Sequence, residues 1–203
     1  LIEFATTIGW WVSLVPAHVS ESHNPRGFRT YDKNLIFNED QIRRAEKLLN
    51  RVKEMKKEGF NLYDSDEYID DILRFISKDK IKWRKKNNNV CDSPNLYFAI
   101  LPSGAIAPCC DFRLKESIYV QDENFYNMYK SDRFRNQTYE IVKDCSGCMY
   151  GSYPEISISA RDPKPLIDRT KLFLLTKMKK LQKNITLEYT LELAEKISKN
   201  YSK

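Results

Sequence analysis

The chain has 203 residues, 41% of them hydrophobic and 31% charged, with a formal net charge of +6. Such a composition can bury a core, which sets it apart from disordered chains. No run of about 18 apolar residues occurs, so no membrane partner is expected, and the length suits one large domain or two small ones.

The opening residues, 1–9, read as the tail of a helix ended by Gly9. The chain starts at Leu1 in mid-helix, and a fragment of a longer protein is expected. The apolar opening is interrupted by Glu3 and lacks the basic start and cleavage site of a signal peptide. Residues 10–15, Trp-Trp-Val-Ser-Leu-Val, form a continuous apolar run that predicts a buried, parallel-type strand before Pro16. A polar loop over 17–31 follows, carrying both histidines of the chain, His18 and His23, together with Glu21 and Arg26.

Asn38 followed by Gln41 is the signature of a capping box. It opens a helix whose inward face is Ile42, Ala45, Leu48, Leu49, Val52 and Met55, ended by Gly59. A short strand is predicted over 60–63. A second helix is expected from Asp64, with Glu67 completing its cap and Tyr68, Ile69, Ile72, Leu73, Phe75 and Ile76 inward. Strand, loop, helix, strand, helix is the rhythm of an α/β unit. Residues 78–89 are basic and asparagine-rich, and read as a linker.

Beyond the linker the character changes. A strand over 96–101, a turn at Pro102-Ser-Gly104 and a returning strand over 105–109 predict a hairpin. A short helix over 123–130 is followed by one capped by Ser131, with Phe134, Thr138, Ile141 and Val142 inward. Residues 156–159 alternate like a strand, and two amphipathic helices, 166–181 and 186–197, end the chain.

All five cysteines lie between Cys91 and Cys148. An odd number in a chain read as cytoplasmic favours metal or cluster ligation over a disulfide framework. Thiolates are soft ligands that select zinc, copper(I) or iron–sulfur clusters. Cys145-Ser-Gly-Cys148 has a two-residue gap that lets both sulfurs turn inward, and Gly147 removes a side chain that would crowd the site. Cys109 and Cys110 are adjacent, so on a strand they point to opposite faces; Cys109 is taken as ligand and Cys110 as a small buried filler. The metal ligands are thus Cys91, Cys109, Cys145 and Cys148. Their spacing leaves structural zinc and a 4Fe–4S cluster nearly equal.

Taken together, Cys91, Gly104, Cys109, a helix and Cys145-x2-Cys148 resemble the SPASM/twitch extension of radical S-adenosylmethionine enzymes. The phrase Leu101-Pro-Ser-Gly-Ala-Ile-Ala-Pro-Cys109 is similar to the hairpin before that family's second cysteine. Tyr129-Lys-Ser131-Asp-Arg-Phe134 is similar to part of its following helical segment. No cysteine follows Cys148, which resembles the shortened twitch form, including members acting on aminocyclitol sugars.

The resemblance implies an α/β fold: the C-terminal portion of a partial (β/α)6 barrel over 1–78, a linker over 79–89, an α+β twitch-type domain over 90–160 and C-terminal helices over 161–203. It implies one auxiliary 4Fe–4S cluster on the four cysteines. The full-length enzyme would also use S-adenosylmethionine and a second 4Fe–4S cluster. The Cys-x3-Cys-x2-Cys motif that binds that second cluster is absent here, so the chain alone is expected to be inactive.

The expected function is radical oxidation or modification of a sugar-like small molecule or a peptide, with an electron donor or acceptor protein as partner. In this placement His18, Glu21, His23 and Arg26 lie at the barrel mouth as candidates for substrate contact. The alternative is a structural zinc module whose basic faces bind nucleic acid or a protein partner. No recognised nucleic-acid motif accompanies the charge.

Overall fold

A computed structural model describes residues 1–17, 36–83, 91, 93–110, 112–143, 145, 147–150, 152–176 and 185–201. Helices dominate, joined by one small antiparallel sheet, so the coarse expectation of a mixed α and β fold holds. No barrel-type parallel sheet forms among the described residues. No helix there is long and apolar enough to cross a membrane.

Helix α1 (Ile2–Thr7) ends at Gly9, whose φ of 80° is left-handed. Residues 10–15 do not make the buried strand expected of them. Their contribution is a single parallel bridge, Val12 to Leu62, with Val12 N–H donating to Asn61 O and Tyr63 N–H donating to Val12 O. Trp10 and Val15 are half exposed, at 57% and 50%. An unbroken apolar run marks a strand covered on both faces, and here only one side is covered.

Helix α2 (Glu39–Lys57) starts at the predicted capping box, Asn38 with Gln41. Leu49 and Val52 are buried, whereas Leu48 is exposed and lies off the inward stripe. Helix α3 (Asp66–Ile76) is capped by Ser65, whose Oγ accepts from Tyr68 N–H, rather than by Asp64. Asp64 turns the other way, accepting from Ser13 Oγ and Leu14 N–H at 2.6 Å each. Tyr68, Ile69, Ile72 and Phe75 are buried as predicted.

The reading of 78–89 as a linker needs correction where the structure describes it. Ile81 and Trp83 are buried in the main core, and Asp71 holds the backbone there by accepting from Lys82 N–H at 2.8 Å and Trp83 N–H at 2.7 Å. Lysines frame this stretch in sequence, but its two large apolar residues turn inward.

Helix α4 (Ser93–Leu96) precedes the hairpin of β1 (Ala99–Ile100) and β2 (Ile106–Ala107), shorter than predicted, with Ala99 opposite Ala107 and Ile100 opposite Ile106. Residues 118–120 extend it through a bridge between Ala105 and Tyr119. Helices α5 (Phe125–Lys130) and α6 (Asp132–Val142) close a second, smaller core of Ile106, Leu114 and Phe134, lined by Phe98, Phe125 and Tyr129.

The predicted strand over 156–159 is instead the middle of helix α7 (Ser152–Arg161). The alternation Ile-Ser-Ile-Ser misleads because Ser157 is itself fully buried. Helices α8 (Pro163–Thr176) and α9 (Leu187–Tyr201) follow; residues 177–184 lie outside the described chain. The main core draws Leu49 to Trp83 together with Met149 and Ile158, and Cys91 and Cys148 pack against it.

Candidate metal centre

Three local devices deliver the expected ligands. Cys91 lies two residues before α4, which packs on α7. The hairpin turn closes with Gly104 N–H donating to Leu101 O at 2.8 Å and Gly104 at φ 83°, and its return leads to Cys109. Helix α6 ends in a tight turn in which Cys145 N–H donates to Val142 O at 3.1 Å.

Cys145 and Cys148 each receive a backbone amide from two residues further on. Gly147 N–H donates to Cys145 Sγ at 3.4 Å, and the amide of Tyr150 bonds Cys148. Gly147 has a φ of 96°, which a side chain would strain. Amide bonds to sulfur favour the thiolate, because they place a positive dipole beside the developing charge.

The backbone after Cys148 is clamped from the N-terminal half. Trp83 Nε1–H donates to Cys148 O at 3.2 Å. The Tyr68 hydroxyl shares its proton between Met149 O at 2.7 Å and Leu14 O at 3.0 Å. Burial, followed by the charges of Asp64, Glu155 and Cys148, pushes the Tyr68 phenol far above its ordinary range, so it remains a donor. Arg161 donates to Trp83 O at 2.7 Å.

Charge relations tie the four thiols together. Burial pushes Cys148 well above the ordinary thiol value; the Tyr150 amide opposes this, and Cys91, Cys145 and Cys109 raise it further. The same Cys91 acts on Arg161, opposing the lowering caused by that guanidinium's burial. Among the described residues no group of three or more His, Cys, Asp or Glu is arranged to hold a metal ion. In donor chemistry the set fits a four-thiolate centre: soft ligands only, two of them supported by backbone amides.

Cys110 is exposed rather than the buried filler expected, and its Sγ lies 3.3 Å from the hydroxyl of buried Tyr153. It does not figure among the thiols acting on Cys148. Tyr153 in turn meets Tyr97 edge-on at 5.0 Å. The proposed substrate contacts His18, Glu21, His23 and Arg26 lie outside the described residues. Sequence reasoning passed over Trp83 and Arg161, although a tryptophan inside a lysine-rich tract is a signal that the tract is not wholly solvated.

No family model matches the chain, and neither a curated protein nor a solved structure resembles it significantly.

Proposed function

We propose that the chain is the C-terminal part of a radical S-adenosylmethionine enzyme, and that Cys91, Cys109, Cys145 and Cys148 hold one auxiliary 4Fe–4S cluster. The observation carrying this reading is the four-cysteine pattern, with the Gly147 amide turned to the Cys145 sulfur and the Tyr150 amide bonded to Cys148. When bound, such a cluster supplies one-electron transfer at a potential set by its hydrogen bonds and burial.

The residues of this chain would do the rest. Gly147 and Tyr150 amides stabilise the thiolates; Trp83 and Tyr68 fix the backbone that carries Cys148. Arg161 brings a positive charge toward Cys91, which offsets part of the charge of four thiolates. With every ligand a cysteine, the centre serves electron transfer rather than direct substrate binding.

The complete enzyme is proposed to work in the cytoplasm with S-adenosylmethionine and a second 4Fe–4S cluster. It would oxidise or modify a sugar-like small molecule or a peptide, exchange electrons with a partner protein, and use His18, Glu21, His23 and Arg26 to contact substrate.

Anaerobic reconstitution with ferrous iron and sulfide tests the ligand claim. The expected product carries about four irons per chain, absorbs broadly in the visible and bleaches on reduction. A chain that takes up one zinc and excludes iron and sulfide is instead the structural module.

A further inference from the structure

The Tyr68 hydroxyl lies between two backbone carbonyls from distant parts of the chain, 81 and 54 positions away: Met149 O at 2.7 Å and Leu14 O at 3.0 Å. Met149 directly follows the candidate ligand Cys148. Leu14 shortly precedes residues 17–31, where the proposed substrate contacts His18, Glu21, His23 and Arg26 lie in sequence. Carbonyls only accept, and a phenol carries a single proton to donate. Tyr68 is 0% exposed, so bulk water does not compete for that proton. The two carbonyls share it only while both stay within reach, and the position of one bears on the bond to the other.

The Leu14 peptide is held on its other side by the same helix start. Its N–H donates to Asp64 Oδ2 at 2.6 Å, and the Ser13 hydroxyl donates to Asp64 Oδ1 at 2.6 Å. Asp64 directly precedes Ser65, which caps α3, and Tyr68 stands in the first turn of α3. Residues 13–14 are thus gripped at amide and carbonyl by groups that also meet the loop after Cys148. The second clamp on that loop is Trp83 Nε1–H to Cys148 O at 3.2 Å. Its further hydrogen bonds lead to Asp71 and Arg161, away from residues 13–14.

From this geometry we infer that Tyr68 is a positioning residue that couples the metal centre to residues 13–14. A metal that fixes the Cys148 loop fixes Met149 O, and through the shared hydroxyl it fixes Leu14 O, ahead of the segment proposed to contact substrate. The inference rests on the four cysteines holding a metal, whichever metal that is. Such coupling is reciprocal, so order at residues 13–14 tightens the hold on the metal in turn.

Zinc is the probe, because it suits four thiolates under either reading of the centre. Hydrogen exchange of the Leu14 amide, followed by NMR on the chain with and without bound zinc, reads the coupling at the Asp64 bond. Zinc is expected to slow this exchange about tenfold in the parent. In Tyr68→Phe, which keeps the ring, the effect should fall below about twofold. In Trp83→Phe, which loses the indole N–H to the same loop, it should stay near tenfold. Both variants are expected to release zinc to a chelator about fivefold faster, as loss of one buried hydrogen bond implies. A Leu14 amide indifferent to zinc in the parent, an undiminished response in Tyr68→Phe, or a response lost as fully in Trp83→Phe would each overturn the inference and leave the metal reading standing. No zinc uptake by the parent would overturn both.

Discussion

At the scale of single residues, the neighbouring thiols have separate environments. Cys148 is pressed upward in pKa by burial and by three other cysteines, a state that a bound cation relieves by taking the thiolate. Cys110 faces Tyr153 and is exposed. Replacing Cys145 or Cys148 by Ala is therefore expected to abolish metal uptake, while Cys110→Ala leaves metal content unchanged. Elemental analysis of the three variants decides this, and an equal loss in Cys110→Ala would move the ligand assignment. Gly104 makes a separate prediction. Its φ of 83° is left-handed, and a Cβ there would run into the Gln121 side-chain amide. Gly104→Ala should cost about 1 kcal/mol in urea unfolding, mostly from the backbone, because the Gln121 tip can swing away.

Between elements, a buried polar link joins the segment before α3 to α7 and α8. Glu155 is fully buried, accepting from Ser65 N–H at 2.5 Å and from Ser65 Oγ at 3.0 Å, and is paired with Arg169. Arg169 also lies over the Tyr63 ring, 4.4 Å from its centroid. Burial raises Glu155, with the Asp64 charge adding to it and Arg169 and Ser65 opposing. Burial likewise raises Asp64, opposed by Leu14, Ser13, Lys56 and Arg169.

A carboxyl whose folded-state value exceeds its unfolded value binds the proton more tightly when folded. Its contribution is fully present below the unfolded value, ~4, and is lost as pH rises through the folded value. Asp64→Asn should therefore gain stability relative to the parent between pH 4 and pH 8, measured by denaturant titration; a difference constant across that range would contradict the account. Arg169→Met leaves a buried carboxylate without its cation and should cost about 3 kcal/mol at pH 7, and less at pH 4.

Element signals in the sequence were uneven for a physical reason. The caps at Asn38 and Ser131 are local hydrogen-bonding patterns, and both stand where they were read. The strand readings at 10–15 and 156–159 rested on apolar pattern alone, which does not reveal whether a partner covers each face. Glu155 and Ser157 are buried polar residues matched across long sequence distances, or buried without an apolar signature, so the α7 stripe was illegible.

Across the whole molecule, one core takes residues from both sides of the segment read as a linker. Trp83 is its hinge pin: its backbone is held by Asp71, its indole by Cys148 O and its carbonyl by Arg161. Trp83→Ala is expected to cost about 3–5 kcal/mol and to weaken metal retention as well. A solvated linker residue would cost within about 0.5 kcal/mol, so equilibrium unfolding separates the two placements. The grouping of five cysteines was legible at once from their positions in sequence. Their support by Trp83, Tyr68 and Arg161 was not, because those contacts join parts of the chain more than fifty residues apart.

The central claim is the identity of what the four cysteines hold. Metal and acid-labile sulfide analysis of the chain, purified anaerobically from cells, tests it most directly. The account predicts iron and sulfide in equal amounts, about four of each per chain, both lost in Cys148→Ala. One zinc per chain with no sulfide would contradict it.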